Sequence, residues 1–295
     1  MNEENKVTKE RKDLDILNKM KQLPGGLVII PLVIAVVIAT FFPQAFQIGG
    51  YVTALFYEGN ACMMGFFLIV CGSMIDIKQV GMPLYKGVVM TGVKFLLGVI
   101  LGLVVGKVCG PAGFLGIAPF ELIATITNSN GSLYISLSSQ FGNATDTGAI
   151  SILSLNDGPF FTLIALGATG LANIPINSLI AVLVPLLIGF VWGNLDKGFR
   201  DACKTAQPIV TFFMTISIGA KTDVKTIVTA GASGIVLGLI SAATAVIFFF
   251  VINLLLPKKE RNAMGAAIGT TALNSAMTPA AVSYTHLTLP TTPYV

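Results

Sequence analysis

This chain has little charge. Asp, Glu, Lys and Arg make up 11% of its 295 residues and hydrophobic residues 54%, whereas about 25% charge is usual for a soluble domain. So few polar side chains cannot cover a soluble surface. The chain also has a single histidine, His286, and four cysteines, Cys62, Cys71, Cys109 and Cys203, none in a Cys-x-x-Cys spacing. That pattern offers no metal centre and no redox motif, and the cysteines read as small apolar fillers between helices. Neither a His-Glu-x-x-His run nor a pair of mid-membrane aspartates occurs, so no catalytic residue and no enzyme activity is assigned. The apolar–polar alternation of β-barrel strands is missing too. The basic residues near the N-terminus are interspersed with Asp and Glu, unlike a nucleic-acid-binding patch.

Long apolar runs, such as Ile235 to Ile252, are what the chain does have. Nine segments reach or approach the ~20 residues that cross a bilayer as a helix: 24–42, 50–72, 87–109, 113–140, 144–171, 175–193, 206–220, 227–256 and 263–283. The expectation is an all-α integral membrane protein. Lys6, Lys9, Arg11, Lys12, Lys19 and Lys21 lie in a leader, residues 1–23, before the first segment, and hold the N-terminus in the cytoplasm. Counted alternately from there, Lys78, Lys86, Lys197, Arg200, Lys204, Lys258, Lys259 and Arg261 fall inside, and only Lys107, Lys221 and Lys225 outside. No small-residue cleavage site follows the first apolar core, so it reads as a retained helix. The last residues, Ser283 to Val295, are Thr- and Pro-rich and cannot continue a membrane helix. They resemble translated sequencing adaptor, so a tenth helix is expected in place of residues 283–295.

The stretch Gly72-Ser73-Met74-Ile75-Asp76-Ile77-Lys78 returns 147 positions later as Gly219-Ala220-Lys221-Thr222-Asp223-Val224-Lys225. Each copy closes one apolar segment and precedes another. Five helices separate the copies, an odd number, so the copies lie on opposite membrane faces and the halves, 24–172 and 173–282, are inverted repeats, the build of secondary transporters. A passive channel would instead want pore-lining rings from several subunits. Asp76 and Asp223 fall at helix ends and read as caps and anchors together with Lys78 and Lys225.

Polar residues inside such segments need another helix, water or a ligand. Thr125, Thr127, Asn128, Ser129, Asn130, Gly131 and Ser132 interrupt segment 113–140, and Asn and Gly tolerate left-handed backbone, so an unwound break is expected near Asn130-Gly131. Thr270, Thr271, Asn274, Ser275, Thr278 and Pro279 interrupt segment 263–283 at the matching place. Paired interruptions point to a binding site, because half-helix ends offer N–H groups to anions and carbonyls to cations. Ser154, Asn156, Asp157, Gly158 and Pro159 form a third cluster, and Asp157 is the one acidic residue well inside a predicted helix. It reads as a protonation site or a hard cation ligand. Lys94 could neutralise Asp157, receive a substrate carboxylate or snorkel to the inner surface, and its place early in its segment favours snorkelling. Gly98, Gly102, Gly106, Gly234 and Gly238 are expected to let helices pack closely.

Several short motifs, in order from about residue 21 to 282, resemble the bacterial 2-keto-3-deoxygluconate permease family: Pro24-Gly25-Gly26 with Pro31, Asn130-Gly131-Ser132-Leu133-Tyr134, Ser154-Leu155 before Gly158-Pro159, Gly167 to Ala172, and Gly193-Asn194-Leu195-Asp196. The resemblance implies a ten-helix (5+5) inverted-repeat carrier, similar to the bile acid:sodium symporter fold, in the bacterial inner membrane. It implies proton-coupled uptake of a sugar acid, with no cofactor beyond the coupling ion. The family carries acidic residues where this chain has Thr127/Asn128 and Asn156, and Asp157 stands in for the second of them. Combined with the polar clusters, this gives a substrate site of Asn128, Ser129, Asn130, Gly131, Thr271, Asn274 and Ser275, and a coupling site of Asp157 and Asn156. A sodium-coupled symporter of another small organic anion is the alternative, and oligomeric state is left open.

Overall fold

The computed structural model describes residues 14–23, 26–78, 81–156, 159–170, 174 and 176–271. Its helices are, in chain order, α1 (Ile16–Gln22), α2 (Gly26–Phe41), α3 (Gly50–Val52), α4 (Asn60–Ser73), α5 (Met82–Cys109), α6 (Pro119–Ile126), α7 (Gly131–Phe141), α8 (Ala144–Gly148), α9 (Ile150–Leu153), α10 (Phe160–Ala168), α11 (Ile176–Leu195), α12 (Lys197–Gly219), α13 (Val224–Leu255) and α14 (Met264–Ala267). Helix α5 and residues Gly231–Leu255 of α13 are each long and apolar enough to cross a membrane. Residues Gly50–Tyr57 and Asn60–Ser73, bent by 58° at their junction, meet the same test as one span.

Helix α5 is polar and small on its inner face and apolar on its outer one. Lys86, Thr91, Lys94, Gly98 and Gly102 are buried, whereas Val88, Leu96, Ile100 and Val104 are about half exposed. Such a helix is stable where the surroundings are lipid and polar groups must be satisfied inside the protein.

Two of the boundaries that differ from the apolar pattern do so because of a cap. Residues 113–118 form a turn closed by paired main-chain bonds between Phe114 and Ile117, and the helix starts only at Pro119. There the missing N–H is no loss, and the Glu121 carboxylate accepts from the Ala118 N–H at 2.9 Å. Helix α12 starts well before residue 206, because the Asp196 carboxylate caps it through the Gly198 N–H at 2.7 Å.

Helices α2, α4, α11 and α12 pack on one another, and α5 gathers α6, α8, α9 and α13 about itself. Within the first group, contacts recur at matched positions. A Cβ on Gly72 of α4 would lie 2.0 Å from the Leu186 carbonyl oxygen and 2.9 Å from the Phe190 nitrogen of α11. A Cβ on Gly219 of α12 would lie 2.8 Å from the Leu32 carbonyl oxygen and 3.3 Å from the Val36 nitrogen of α2. Gly72 and Gly219 are 147 residues apart, while Leu32 and Leu186, Val36 and Phe190, and the in-helix prolines Pro31 and Pro185 are each 154 apart. The same offsets relate two hydrogen bonds: the Ile77 N–H donates to Asn194 Oδ1 at 3.1 Å, and the Val224 N–H to Thr40 Oγ1 at 3.0 Å. Helices α4 and α12 run antiparallel. Asp76, past the end of α4, bonds Arg200 near the start of α12, whereas Ser217 near the end of α12 donates to the Leu55 carbonyl ahead of α4.

Gly72→Val is therefore expected to destabilise the protein by about 1–3 kcal/mol through overpacking against α11. Gly92→Val, at a position with nothing within 4 Å, should change stability by no more than about 0.5 kcal/mol. Thermal unfolding of the two variants in detergent checks the difference. The glycine expectation itself needs correction in part. Gly98 and Gly102 are closely packed and Gly106 meets Pro119 at ordinary contact distance, but Gly234 and Gly238 meet no described atom within 4 Å.

Candidate functional site at two helix breaks

Helix α6 stops before Thr127 and α7 begins at Gly131, so the polar run between them is a true interruption. Thr127, Asn128 and Ser129 are essentially inaccessible to solvent. The break uses no left-handed residue, contrary to the sequence expectation. Asn130 is extended (φ −104°, ψ 94°), and its side chain caps α7 by accepting from the Leu133 N–H at 3.0 Å, which satisfies one of the orphan donors of the new helix. Gly131, buried, is the first residue of α7.

Neutral groups line this break. The Thr127 and Thr162 hydroxyls share a hydrogen bond of 2.8 Å, and Thr162 donates to Asn128 Oδ1 at 3.1 Å. The Asn128 amide donates back to the Ala124 carbonyl. Asn156, also buried, lies in a 3-10 turn (Ser154–Asn156) that interrupts the path from α9 to α10. Its amide donates to the Thr127 carbonyl and to Ser129 Oγ at 3.1 Å. Asn156 thus fastens one interruption to the other.

The second break follows α14. The Lys94 ammonium donates to the carbonyls of Ile268 and Thr270, and Ser241 of α13 donates to the Gly269 carbonyl at 3.2 Å. Lys94 is 1% exposed and sits 5.1 Å from the centre of the Phe248 ring. It does not snorkel. It lies on the buried face of α5, where carbonyls released at the end of α14 receive its charge within reach. Thr271 comes next, and its buried hydroxyl has no hydrogen-bond partner among the described residues. Asn274, Ser275 and Asp157 lie outside the described residues.

One turn of α5 meets both breaks. Lys94 holds the end of α14, and a Cβ on Gly98, four residues later, would lie 2.6 Å from Thr127 Cγ2. Four helical residues rise by about 6 Å. The interruptions that the sequence paired by spacing are therefore neighbours in space.

Two ionic clusters lie apart from the breaks. Lys86 and Asp146, both with fully buried side chains, form an ion pair of 2.5 Å, with Glu260 at 3.1 Å from the same ammonium. Asp146 also accepts from the Asn143 N–H at 2.9 Å and the Asn262 amide at 2.6 Å. The Thr145 hydroxyl and then the Lys86 ammonium hold the Glu260 carboxyl below its ordinary range, against slight desolvation. Sequence reasoning missed Asp146, because at the start of its segment it reads as a helix cap; the signal was the capping pair Asn143-x-x-Asp146. The second cluster joins Asp76 to Arg200 at 2.7 Å and to the Lys78 N–H at 2.9 Å. Partial burial would raise the Asp76 carboxyl, but these bonds outweigh it and keep it below the usual carboxylate range. Asp76 caps the backbone as expected, but its ionic partner is Arg200. A cleft of about 460 Å³ opens here, lined by Met74, Asp76 and Arg200 on one side and by Thr147, Gly148 and Ser151 of α8 and α9 on the other.

The family model described as 2-keto-3-deoxygluconate permease matches residues 17–292. The chain is 43% identical over 270 residues to 2-keto-3-deoxygluconate permease 1 of Salmonella typhimurium, covering 92% of this chain and 84% of that one. It is 31% identical over 281 residues to a 2-keto-3-deoxygluconate permease of Xanthomonas oryzae pv. oryzae, covering 88% and 86%. It is 30% identical over 224 residues to that of Bacillus subtilis, covering 74% and 68%.

Proposed function

The chain belongs to the 2-keto-3-deoxygluconate permease family, a family of transporters and not of enzymes, and from that premise we propose that it imports 2-keto-3-deoxygluconate by proton symport across the bacterial cell membrane. The observation that carries this is the convergence of two interrupted helices on one turn of α5 at Lys94 and Gly98. Interrupted helices bring backbone and polar side-chain groups to mid-membrane, where a polar solute needs them. The substrate carboxylate is assigned to Asn130-Gly131 and to Asn274-Ser275. Its hydroxyls are assigned to Asn128, Ser129 and Thr271, and the accompanying proton to Asp157 beside Asn156.

An inverted-repeat architecture is supported by the matched contacts of Gly72 with α11 and Gly219 with α2, and by the antiparallel course of α4 and α12. The placement of the N-terminus in the cytoplasm is supported by which residues meet. Asp76 with Arg200, and Lys86 with Glu260, join positions that the charge count puts inside. Lys221, counted outside, lies over the Tyr57 ring at 5.2 Å. Transport would proceed by α5 and the broken helices rocking against the group of α2, α4, α11 and α12, with the cleft at Arg200 as the inner mouth.

Uptake of labelled 2-keto-3-deoxygluconate into cells tests this. Uptake is expected to be abolished by a protonophore and indifferent to replacement of sodium by choline. Uptake that follows sodium, or none at all, would instead favour a sodium-coupled symporter of another organic anion.

A further inference from the structure

Resting on that carrier assignment, we propose that Lys94 is a tethered cation, its ammonium occupying a carbonyl seat at the broken end of α14 that an inorganic coupling ion such as sodium would otherwise fill. Three consecutive main-chain carbonyls, those of Ile268, Gly269 and Thr270, are met there by side chains from two other helices. Carbonyls at a helix end carry partial negative charge, and clustered oxygens of this kind are what a hard cation takes. An ammonium has three protons, and Lys94 commits two of them to the outer carbonyls of the three. The Phe248 ring backs the charge, a favourable contact for a desolvated cation. No carboxylate among the described residues forms an ion pair with Lys94.

The two breaks differ in charge. At the first, the Thr127 and Ala124 carbonyls are met by the neutral amides of Asn156 and Asn128. At the second, an ammonium does the work. The residue 147 positions after Lys94 is Ser241, whose hydroxyl takes the central carbonyl of the seat. Lys94 thus breaks the internal match by placing a basic side chain beside the place assigned to an anionic substrate. The consequence is a transporter that needs no sodium at this seat.

The test compares uptake in proteoliposomes and the unfolding temperature in detergent, each in sodium and in choline medium. The unmodified chain should behave alike in both media. Lys94→Ser empties the seat, so sodium-free uptake should fall by about tenfold or more, the effect of losing a charge-assisted hydrogen bond. Sodium should then raise the unfolding temperature of this variant and restore part of its uptake. Lys94→Met keeps the bulk without the charge and should be inactive in either medium; it decides the matter if Lys94→Ser does not fold. Sodium stabilisation of the unmodified chain, or full sodium-free uptake by Lys94→Met, would overturn the proposal. If the unmodified chain takes up no 2-keto-3-deoxygluconate, the substrate assignment fails, whereas a sodium-dependent shift confined to Lys94→Ser would still support the seat.

Discussion

Asp146→Ala is expected to destabilise the protein by about 3–5 kcal/mol, because it strands a buried ammonium. Lys86 and Asp146 have no exposed side-chain surface, and their 2.5 Å contact is the shortest of the ion pairs described. Without the carboxylate, Lys86 keeps the Thr145 hydroxyl and Glu260, each at 3.1 Å, and the Asn143 N–H and Asn262 amide lose an acceptor. The cluster ties the start of α5 to α8 and to the segment joining α13 with α14, so its loss loosens elements from both halves of the chain. Lys86→Met together with Asp146→Leu should be milder than Asp146→Ala, since neither charge is then left alone in a low-dielectric interior. Glu260→Gln should be milder again, its side chain being 12% exposed. Thermal unfolding in detergent, with retention of a monodisperse profile in size-exclusion chromatography, reads the order. A loss below about 1 kcal/mol for Asp146→Ala, the scale of a surface pair, would show that water reaches this ammonium.

Much of this architecture was legible in the sequence because a bilayer imposes simple rules. Apolar runs of sufficient length become helices, and a polar run inside one has to be an interruption or a contact. Thr127 to Asn130 obeyed that rule, and the 147-residue echo paired it with the polar run from Thr270 to Pro279 by carrying Asn128 onto Ser275, beside Asn274. The mechanism of the interruption was not legible. Asn130 was expected to unwind the helix by left-handed backbone, but it does so with extended backbone and a cap, two solutions with the same residue preferences. Lys94 was misplaced for a related reason. Position along a segment suggests how far a lysine must reach to the surface, but not which face it occupies, and the carbonyls it binds come from 174 and 176 residues away. The Lys86–Asp146 pair escaped notice because its members are 60 residues apart and each sits at a helix start, where charge ordinarily means capping. Asn274, Ser275 and Asp157 lie outside the described residues, and their roles rest on spacing and on family membership.

Asn156→Ala is expected to reduce uptake of 2-keto-3-deoxygluconate by about 5- to 150-fold, the range that corresponds to 1–3 kcal/mol of coupling. The amide of Asn156 joins the Thr127 carbonyl and the Ser129 hydroxyl across two interrupted helices, so its removal releases both from a common register. Simple destabilisation would also reduce uptake, and Asn156→Asp separates the two explanations. The carboxylate has the same shape as the amide but presents an acceptor to the Thr127 carbonyl, which repels it at neutral pH. When protonated, its O–H can donate to that carbonyl as the amide did. Uptake by Asn156→Asp relative to the unmodified chain should therefore rise as the pH is lowered, while the ratio for Asn156→Ala stays flat. Equal and pH-independent loss in both variants, at unchanged protein level in the membrane, would mean that Asn156 fills space between α6 and α10 without holding its own turn in register with the α6–α7 break.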